Sequence, residues 1–566
     1  MDFLFFLRVN YIRTTLFFDV KVIIQKPDSS NAECRIMFEE IQSDSESCSK
    51  IRVFNPATLE KVGEIKVCEP GSLPSMRQTA VKAQVVWMSM PLSQRKKVLE
   101  KAQEIIFDQI EYIAKIVCEE TGKPKMEGIN ADIGCALSAG DFSMREMERI
   151  FRTSKIDFGS MGLAMRYLRR SSFIVPKPIG VVGIISPWNY PFGMPYSQTV
   201  MAIAAGNAVL LKPSSHTPFS AEKIVEILEQ AGAPKGLVQV IVGRGSSIGR
   251  EFALSGLDRI IFTGGTEAGR KVMENACQRF TPVTMELGGK DPFLVMGDAD
   301  VARAAEAAAW GSFVNSGQTC CAVKRIYVQK EVYSQFTDRL IDKVRSLKQG
   351  WGWDDAEVSV GPLISEEAVR EMEEWVRIAI ADGGKVLCGG RRTPGLKGNY
   401  FEPTVIAGLP QTSRVVQEEI FGPIVTLSPF QDEAEGIALA NDCKYALTGC
   451  VWSKDLTRGR NIAERMVGGT TSVNNVAYTY GLTSTPWGGK GQSGFGRTHG
   501  ELGFNELLEP HHVHIDKGKF SQELWWYPYD MEKFEANNLM LEMSFGKNKG
   551  RSLLSLPKLW KIWKKK

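Results

Sequence analysis

The chain has 566 residues, 43% of them apolar and 24% charged. That balance suits a globular protein of two or three domains and excludes disorder over most of its length. With 69 basic and 65 acidic residues the net charge is only +4, too even to provide the basic face that nucleic acid requires, so no nucleic-acid partner is expected.

The 11 cysteines run from Cys34 to Cys450 with no C-x-x-C spacing, which suggests neither a disulfide framework nor a zinc cage. A reducing, cytoplasmic setting and no metal are expected. Only five histidines are present, His216, His499, His511, His512 and His514, so a cysteine nucleophile would more readily be served by a carboxylate base.

In chain order, residues 1–50 carry apolar bursts at Phe3 to Leu7 and Leu16 to Phe18, interrupted by Arg8, Arg13, Asp19 and Lys21. They fall short of the roughly 20 apolar residues of a spanning helix, and they lack the basic start and unbroken centre of a signal peptide. The polar run Gln42 to Lys50 reads as a linker, and the globular part is expected to start near Ile51. From Met76 to Thr121 apolar residues recur every three or four positions, which predicts packing helices. Glu119 to Pro124 reads as a helix stop at Gly122 and Pro124, without chemistry.

After Pro178, short β-rich runs at Val181 to Ile185, Ala208 to Leu211, Val238 to Val242 and Arg259 to Phe262 alternate with helical segments. This pattern predicts a parallel sheet covered on both faces, with ligands bound beyond its strand C-termini. Each stretch of interest follows a strand. Ser186 to Phe192 offers the amide of Asn189, and Lys212 emerges from Leu211 to Pro218 beside Ser215. Two glycine loops, with Gly245 and Gly249 in one and Gly264 and Gly265 in the other, would let backbone N–H groups and a helix N-terminus approach a pyrophosphate.

Two loops then bracket an alanine-rich helix that starts near Asp300: Met285-Glu286-Leu287-Gly288-Gly289-Lys290 and Gly317-Gln318-Thr319-Cys320-Cys321-Ala322. They pair a carboxylate with a thiol on a polar turn, a thiol presented rather than packed. Further on come a strand at Arg325 to Gln329, helices near Tyr333 to Leu347 and Glu366 to Ala381, and the stretch Glu418-Glu-Ile-Phe-Gly-Pro423.

Taken together, these stretches resemble the aldehyde dehydrogenase superfamily, of the non-acylating NAD(P)-dependent type, over about Ile51 to His514. The resemblance implies an α/β fold: a Rossmann-type parallel-sheet cofactor domain (51–153 and 178–287), an α/β catalytic domain (288–482) and a small β oligomerisation element (154–177 and 483–514). Extensions at 1–50 and 515–566 flank it. It also implies Cys320 as nucleophile, Glu286 as general base, and Asn189 as oxyanion donor beside the Cys320 backbone N–H. One such donor lowers the barrier by roughly 3 kcal/mol. Trp188, Lys212, Ser215, Gly245, Gly249, Gly264, Gly265, Glu419 and Phe421 are the implied cofactor contacts, with Glu419 on the nicotinamide ribose.

The sequence departs from the family at two of these positions. Ser215 stands where glutamate is more usual, which removes a like-charge barrier to a 2′-phosphate and leaves NAD and NADP both open. Gly265 stands where serine is more usual. Aldehyde oxidation through a thiohemiacetal and a thioester is the implied chemistry, with Glu286 favouring hydrolysis to a free acid. The alternatives are transfer of the acyl group to coenzyme A, and a catalytically silent scaffold at a membrane.

Trp487, Tyr190 and Met194 match substrate-tunnel positions in the family, and none is charged, so a neutral apolar or aromatic aldehyde is expected. A homodimer or homotetramer is implied. Beyond the resemblance, Trp525-Trp-Tyr-Pro-Tyr529 is expected to pack back on the domain. The lysine-rich end, Ser552 to Lys566, reads as an interfacial membrane helix or as a solvated basic tail.

Overall fold

The computed structural model describes residues 20–23, 37–40, 50–69, 71–518 and 522–547, with positions 554, 557 and 561. The apolar bursts of the first 18 residues and most of the lysine-rich end lie outside these. Residues 1–50 form one unit, in which Val20–Ile23 pairs antiparallel with Met37–Glu40, and residues 51–566 form the other.

The second unit begins with helices Leu73–Ser89, Leu92–Asp108 and Ile110–Thr121. Their buried positions follow the helical period expected from the sequence: Val98, Leu99, Ala102 and Ile106 share the inner face of one of them. Gly122, at φ 74°, ends the third helix in the left-handed conformation that glycine adopts without a Cβ penalty. A Cβ there would also fall 2.3 Å from Pro362 Cγ. This stop therefore lies against a loop far along the chain.

Two mostly parallel sheets, each with one antiparallel edge strand, form the centre. The first runs in the order Gly494–Phe495, Val283–Glu286, Arg259–Thr263, Val181–Ile185, Ala208–Lys212, Val238–Val240, and every pairing but that of Gly494–Phe495 is parallel. Its strands are buried on both faces because helices cover both sides, which is why they read as unbroken Val/Ile/Leu runs. The second sheet runs Lys385–Cys388, Thr404–Ala407, Ile424–Phe430, Val323–Gln329, Asp291–Val295, Thr448–Trp452, Thr470–Val473.

A third, antiparallel sheet joins Leu508–Asp516 to Arg170–Pro178 and Ser154–Lys155. The stretch from 483 to 507 does not belong to it. Gly494–Phe495 instead pairs with Val283–Glu286, and at that edge Gly494 has φ 109° and no room for a Cβ, which would sit 1.9 Å from Met285 O. No helix among the described residues is long and apolar enough to cross a membrane.

Candidate active site

The thiol stands at the end of a strained turn. Helix Val301–Phe313, capped by Asp300 accepting from Arg303 N, runs into Val314–Gly317, where Asn315 (φ 52°), Ser316 (φ 56°) and Gly317 (φ 69°) are all left-handed. For the two non-glycine residues this costs on the order of 1–3 kcal/mol each. Side-chain hydrogen bonds offset it. Asn315 Nδ2 donates to Asn189 O (3.0 Å), Ser316 Oγ to Gly361 O (2.8 Å), and Gln318 Nε2 to Pro362 O (3.2 Å), while Gln318 Oε1 accepts from Ile364 N (2.9 Å). Buried Lys324 Nζ fastens Gly317 O to Gly422 O, at 2.9 and 2.6 Å. The turn holds Cys320 half-buried and puts Cys321 in the core.

Opposite lies the loop after strand Val181–Ile185. Asn189 Nδ2 donates to Gln318 O at 3.0 Å, which leaves its second N–H free to point at a developing oxyanion. Tyr190 Oη and Thr319 Oγ1 share a hydrogen bond at 2.7 Å, so the two loops are tied at two points.

Behind Asn189 sits a pair of charges that the sequence reading passed over. Lys123 and Asp132, both fully buried, are 2.8 Å apart. Lys123 Nζ also donates to Asn189 O at 2.6 Å, and Asp132 Oδ1 accepts from Phe192 N and Gly193 N at 3.1 and 3.0 Å. The pair thus fixes both sides of the Asn189 loop. Lys123 belongs to the stretch Glu119 to Pro124, read as a helix stop without chemistry; the stop exists, and it also delivers this cation. Lys123→Met should leave Asp132 as an uncompensated buried charge and cost about 3–5 kcal/mol of stability, read by urea unfolding. A cost under about 1 kcal/mol would mean that the pair does not hold the loop.

Glu286 ends its strand 4% exposed. Its Oε1 accepts from Thr498 Oγ1 at 3.2 Å. Burial pushes its carboxyl up to about 8, opposed by the Thr498 hydroxyl, the Arg497 charge, the Trp487 indole and the Thr498 backbone N–H. A carboxylate poised near neutrality is suited to general-base work. The Cys320 thiol lies well above its ordinary range, through its hydrogen bond with Cys321, burial, and the nearby Asp291 and Glu286 carboxyls. It rests protonated, and its attack needs a proton acceptor. Thr498→Val removes a hydrogen bond to the charged form of Glu286. The rising pH limb of any step in which Glu286 works as the carboxylate should therefore move to higher pH in that variant; an unmoved profile would show that Thr498 does not tune this carboxyl.

Cys320, Glu286 and Asn189 line one cavity of about 260 Å³ together with Trp188, Gly264, Gly265, Glu419 and Phe421. Met194 closes one wall of it. Trp487, with Cys321 and Leu447, forms an apolar cluster against which Cys320 and Tyr480 pack. Glu419 Oε1 accepts from Gly289 N at 3.2 Å, and a Cβ on Gly288 would fall 2.1 Å from Glu419 Oε2. Trp188 and Phe421 meet edge to face at 5.5 Å.

Four further residues of the sequence reading lie outside this cavity, along the C-terminal ends of the first sheet. Lys212 ends its strand buried, which pulls its amine down to about 8, and Ser215 is half-buried in the next loop. Gly245 opens the helix Gly245–Leu254, and Gly249 lies one turn inside it. A Cβ added at Gly245, Gly249 or Gly265 would meet nothing within 4 Å. These glycines leave a cradle open in front of two helix N-termini, and with the cavity beside it this fits a dinucleotide.

Sequence reading missed Lys123, Asp132, Asn315 and Thr498. Asn315 could have been noticed beside the glycine before the thiol; the other three act through partners far away in the chain.

Comparison with known proteins agrees with this geometry. A family model described as "Aldehyde dehydrogenase family" matches residues 42–513. A glutarate-semialdehyde dehydrogenase of Pseudomonas putida is 34% identical over 82% of this chain and 94% of its own length. A 4,4'-diapolycopene aldehyde oxidase of a Methylomonas species is 32% identical over 88% and 92%. The crystal structure of betaine aldehyde dehydrogenase from Staphylococcus aureus in complex with NAD+ aligns with a TM-score of 0.79 at 32% identity, covering 85% of this chain and 94% of that one. With the family model covering most of its length, the chain belongs to the aldehyde dehydrogenase family.

Proposed function

We propose that the protein oxidises a neutral aldehyde with an apolar or aromatic body to its free carboxylic acid, with Cys320 as nucleophile, Glu286 as base and Asn189 as oxyanion donor. Aldehyde oxidation with NAD or NADP is the activity of its family. The observation that carries the residue assignment is the convergence of these three groups on one cavity.

Cys320 Sγ, once its proton is taken by Glu286, bonds to the aldehyde carbon, and the oxyanion that forms is met by the free Asn189 N–H and the Cys320 backbone N–H. Bound dinucleotide supplies the acceptor for the hydride that leaves this carbon. Cys320 then holds the acyl group as a thioester. Glu286, once it has passed the thiol proton to solvent, takes a proton from water as the water attacks, and that proton returns to the departing Cys320 thiolate. Trp188, Glu419 and Phe421 border the nicotinamide end, while Lys212, Ser215, Gly245, Gly249, Gly264 and Gly265 border the adenosine and phosphate path.

A neutral body, unlike the semialdehydes and betaine aldehyde named for several relatives, is supported by Met194 in the cavity wall and by the apolar cluster of Trp487, Leu447 and Cys321 against which Cys320 packs. Assembly as a homodimer or homotetramer is supported by the strand Leu508–Asp516, exposed along most of its length. A cytoplasmic enzyme that touches a membrane surface through its tail is supported by eight Lys/Arg and no Asp/Glu from Lys547 to Lys566.

The test is nicotinamide reduction with NAD and, separately, NADP, against short, long, aromatic and carboxylate-bearing aldehydes, with and without coenzyme A. Free acid formed without coenzyme A from neutral aldehydes is expected. Acyl-coenzyme A as the sole product would overturn the hydrolytic reading, and preference for the carboxylate-bearing aldehydes would overturn the neutral one.

A further inference from the structure

Beyond the third sheet the chain makes a platform with two faces. Leu524 is buried, but Trp525, Trp526, Tyr527 and Tyr529 after it range from 47% to 77% exposed. Trp525 alone of the four meets the body, under Arg170; the other three rings do not pack back on the domain as the sequence suggested. In the following helix, Met531–Phe545, Ala536, Leu539 and Met540 pack with Leu168 and Leu524. The opposite face presents Met531, Phe534, Leu541 and Phe545, each at least 57% exposed. At 100° per residue these four positions fall on one stripe.

The platform is fastened to the body, so its exposed rings are held in place. Arg170 forms ion pairs with Glu523 and Asp516 and lies over the Trp525 ring, 5.1 Å from its centroid. Lys533 Nζ donates to Trp526 O (2.7 Å) and Pro528 O (2.8 Å), which fixes the aromatic turn against the helix. These contacts hold the backbone and leave the outer stripe uncovered. An exposed apolar stripe of this kind, broken only by Asn538, marks an interaction site.

We propose that Trp525 to Tyr529 and the outer stripe of Met531–Phe545 form a lipid-docking surface that seats the folded enzyme on an anionic bilayer. The inference rests in part on the reading of the tail given above. Two observations favour lipid over a second copy of the chain. Tryptophan and tyrosine suit the headgroup region, where one end of the ring is apolar and the other wet. The helix is followed directly by eight Lys/Arg and no Asp/Glu, with Trp560 and Trp563 among them; these charges complement anionic lipid and repel one another where two copies meet. Glu535 and Glu542 border the stripe on one side, and the eight basic residues after the helix outweigh them. An enzyme docked there would meet apolar aldehydes where they partition.

The experiment is co-sedimentation of the full chain with phosphatidylcholine vesicles, with and without phosphatidylserine, at low and high salt. Binding that requires phosphatidylserine and weakens with salt is expected. The triple variant Trp526→Ser, Phe534→Ser, Leu541→Ser should bind about tenfold more weakly, with turnover of a soluble aldehyde unchanged as the check on folding; Phe534→Trp should retain binding. A chain lacking residues 552–566 isolates the tail. If that truncation loses binding while the triple variant binds like the parent, this inference falls and the tail reading stands. If the parent binds no vesicle, both fall. If the triple variant instead breaks an oligomer and leaves vesicle binding unchanged, the face belongs to a second copy.

Discussion

Cys320→Ala should lower aldehyde oxidation by at least about 10⁴-fold, because removal of a nucleophile leaves only binding and oxyanion stabilisation. Cys321 should not substitute for it. That thiol is 5% exposed in the cluster with Leu447 and Trp487, and the strained turn at Asn315 and Ser316 fixes which of the two faces the cavity. Dinucleotide binding, read by fluorescence titration, should stay within about twofold of the parent, because Cys320 is not among the proposed cofactor contacts. Oxidation that persists within about tenfold would place the nucleophile elsewhere.

Glu286→Gln should fail at a different step. Glutamine keeps the shape and the contact with Thr498 but cannot accept a proton, so hydrolysis of the thioester should slow by about 10²–10⁴-fold. Because Glu286 is also proposed to take the thiol proton, the first turnover should slow as well, and the ratio of the two losses divides its roles. In the parent, thioester hydrolysis should rise with pH through about 8, since Glu286 works as the carboxylate and burial raises its carboxyl to that value. The variant should lose that limb. Rapid-quench measurement of product per site separates the steps: a burst followed by slow release is the expected trace, and unaltered release would exclude Glu286 as the base for water.

The parts of this site carried by short local patterns were legible before the structure. Val181–Ile185 and Ala208–Lys212 announce themselves as buried parallel strands because both faces are covered. Glu286 and Cys320 stand out because a strand end and a polar turn frame them. What escaped is the scaffolding between distant segments. Lys123 reaches Asn189 across 66 positions, and Thr498 reaches Glu286 across 212. Nothing near Thr498 in sequence marks it; only the antiparallel pairing of Gly494–Phe495 with Val283–Glu286 brings it there. The aromatic run at Trp525 to Tyr529 misled for a related reason. Composition says that such rings pack, but Leu524 and Ala536 already fill the contact with Leu168, and the rings other than Trp525 are left outside.

The proposed roles, Cys320 carrying the acyl group and Glu286 releasing it, are tested most directly by intact-mass and peptide mass spectrometry of Glu286→Gln after incubation with aldehyde and dinucleotide. A stoichiometric acyl adduct on the peptide containing Cys320, absent from the Cys320→Ala, Glu286→Gln double variant, is the predicted result. No adduct, or an adduct that survives in the double variant, would contradict it.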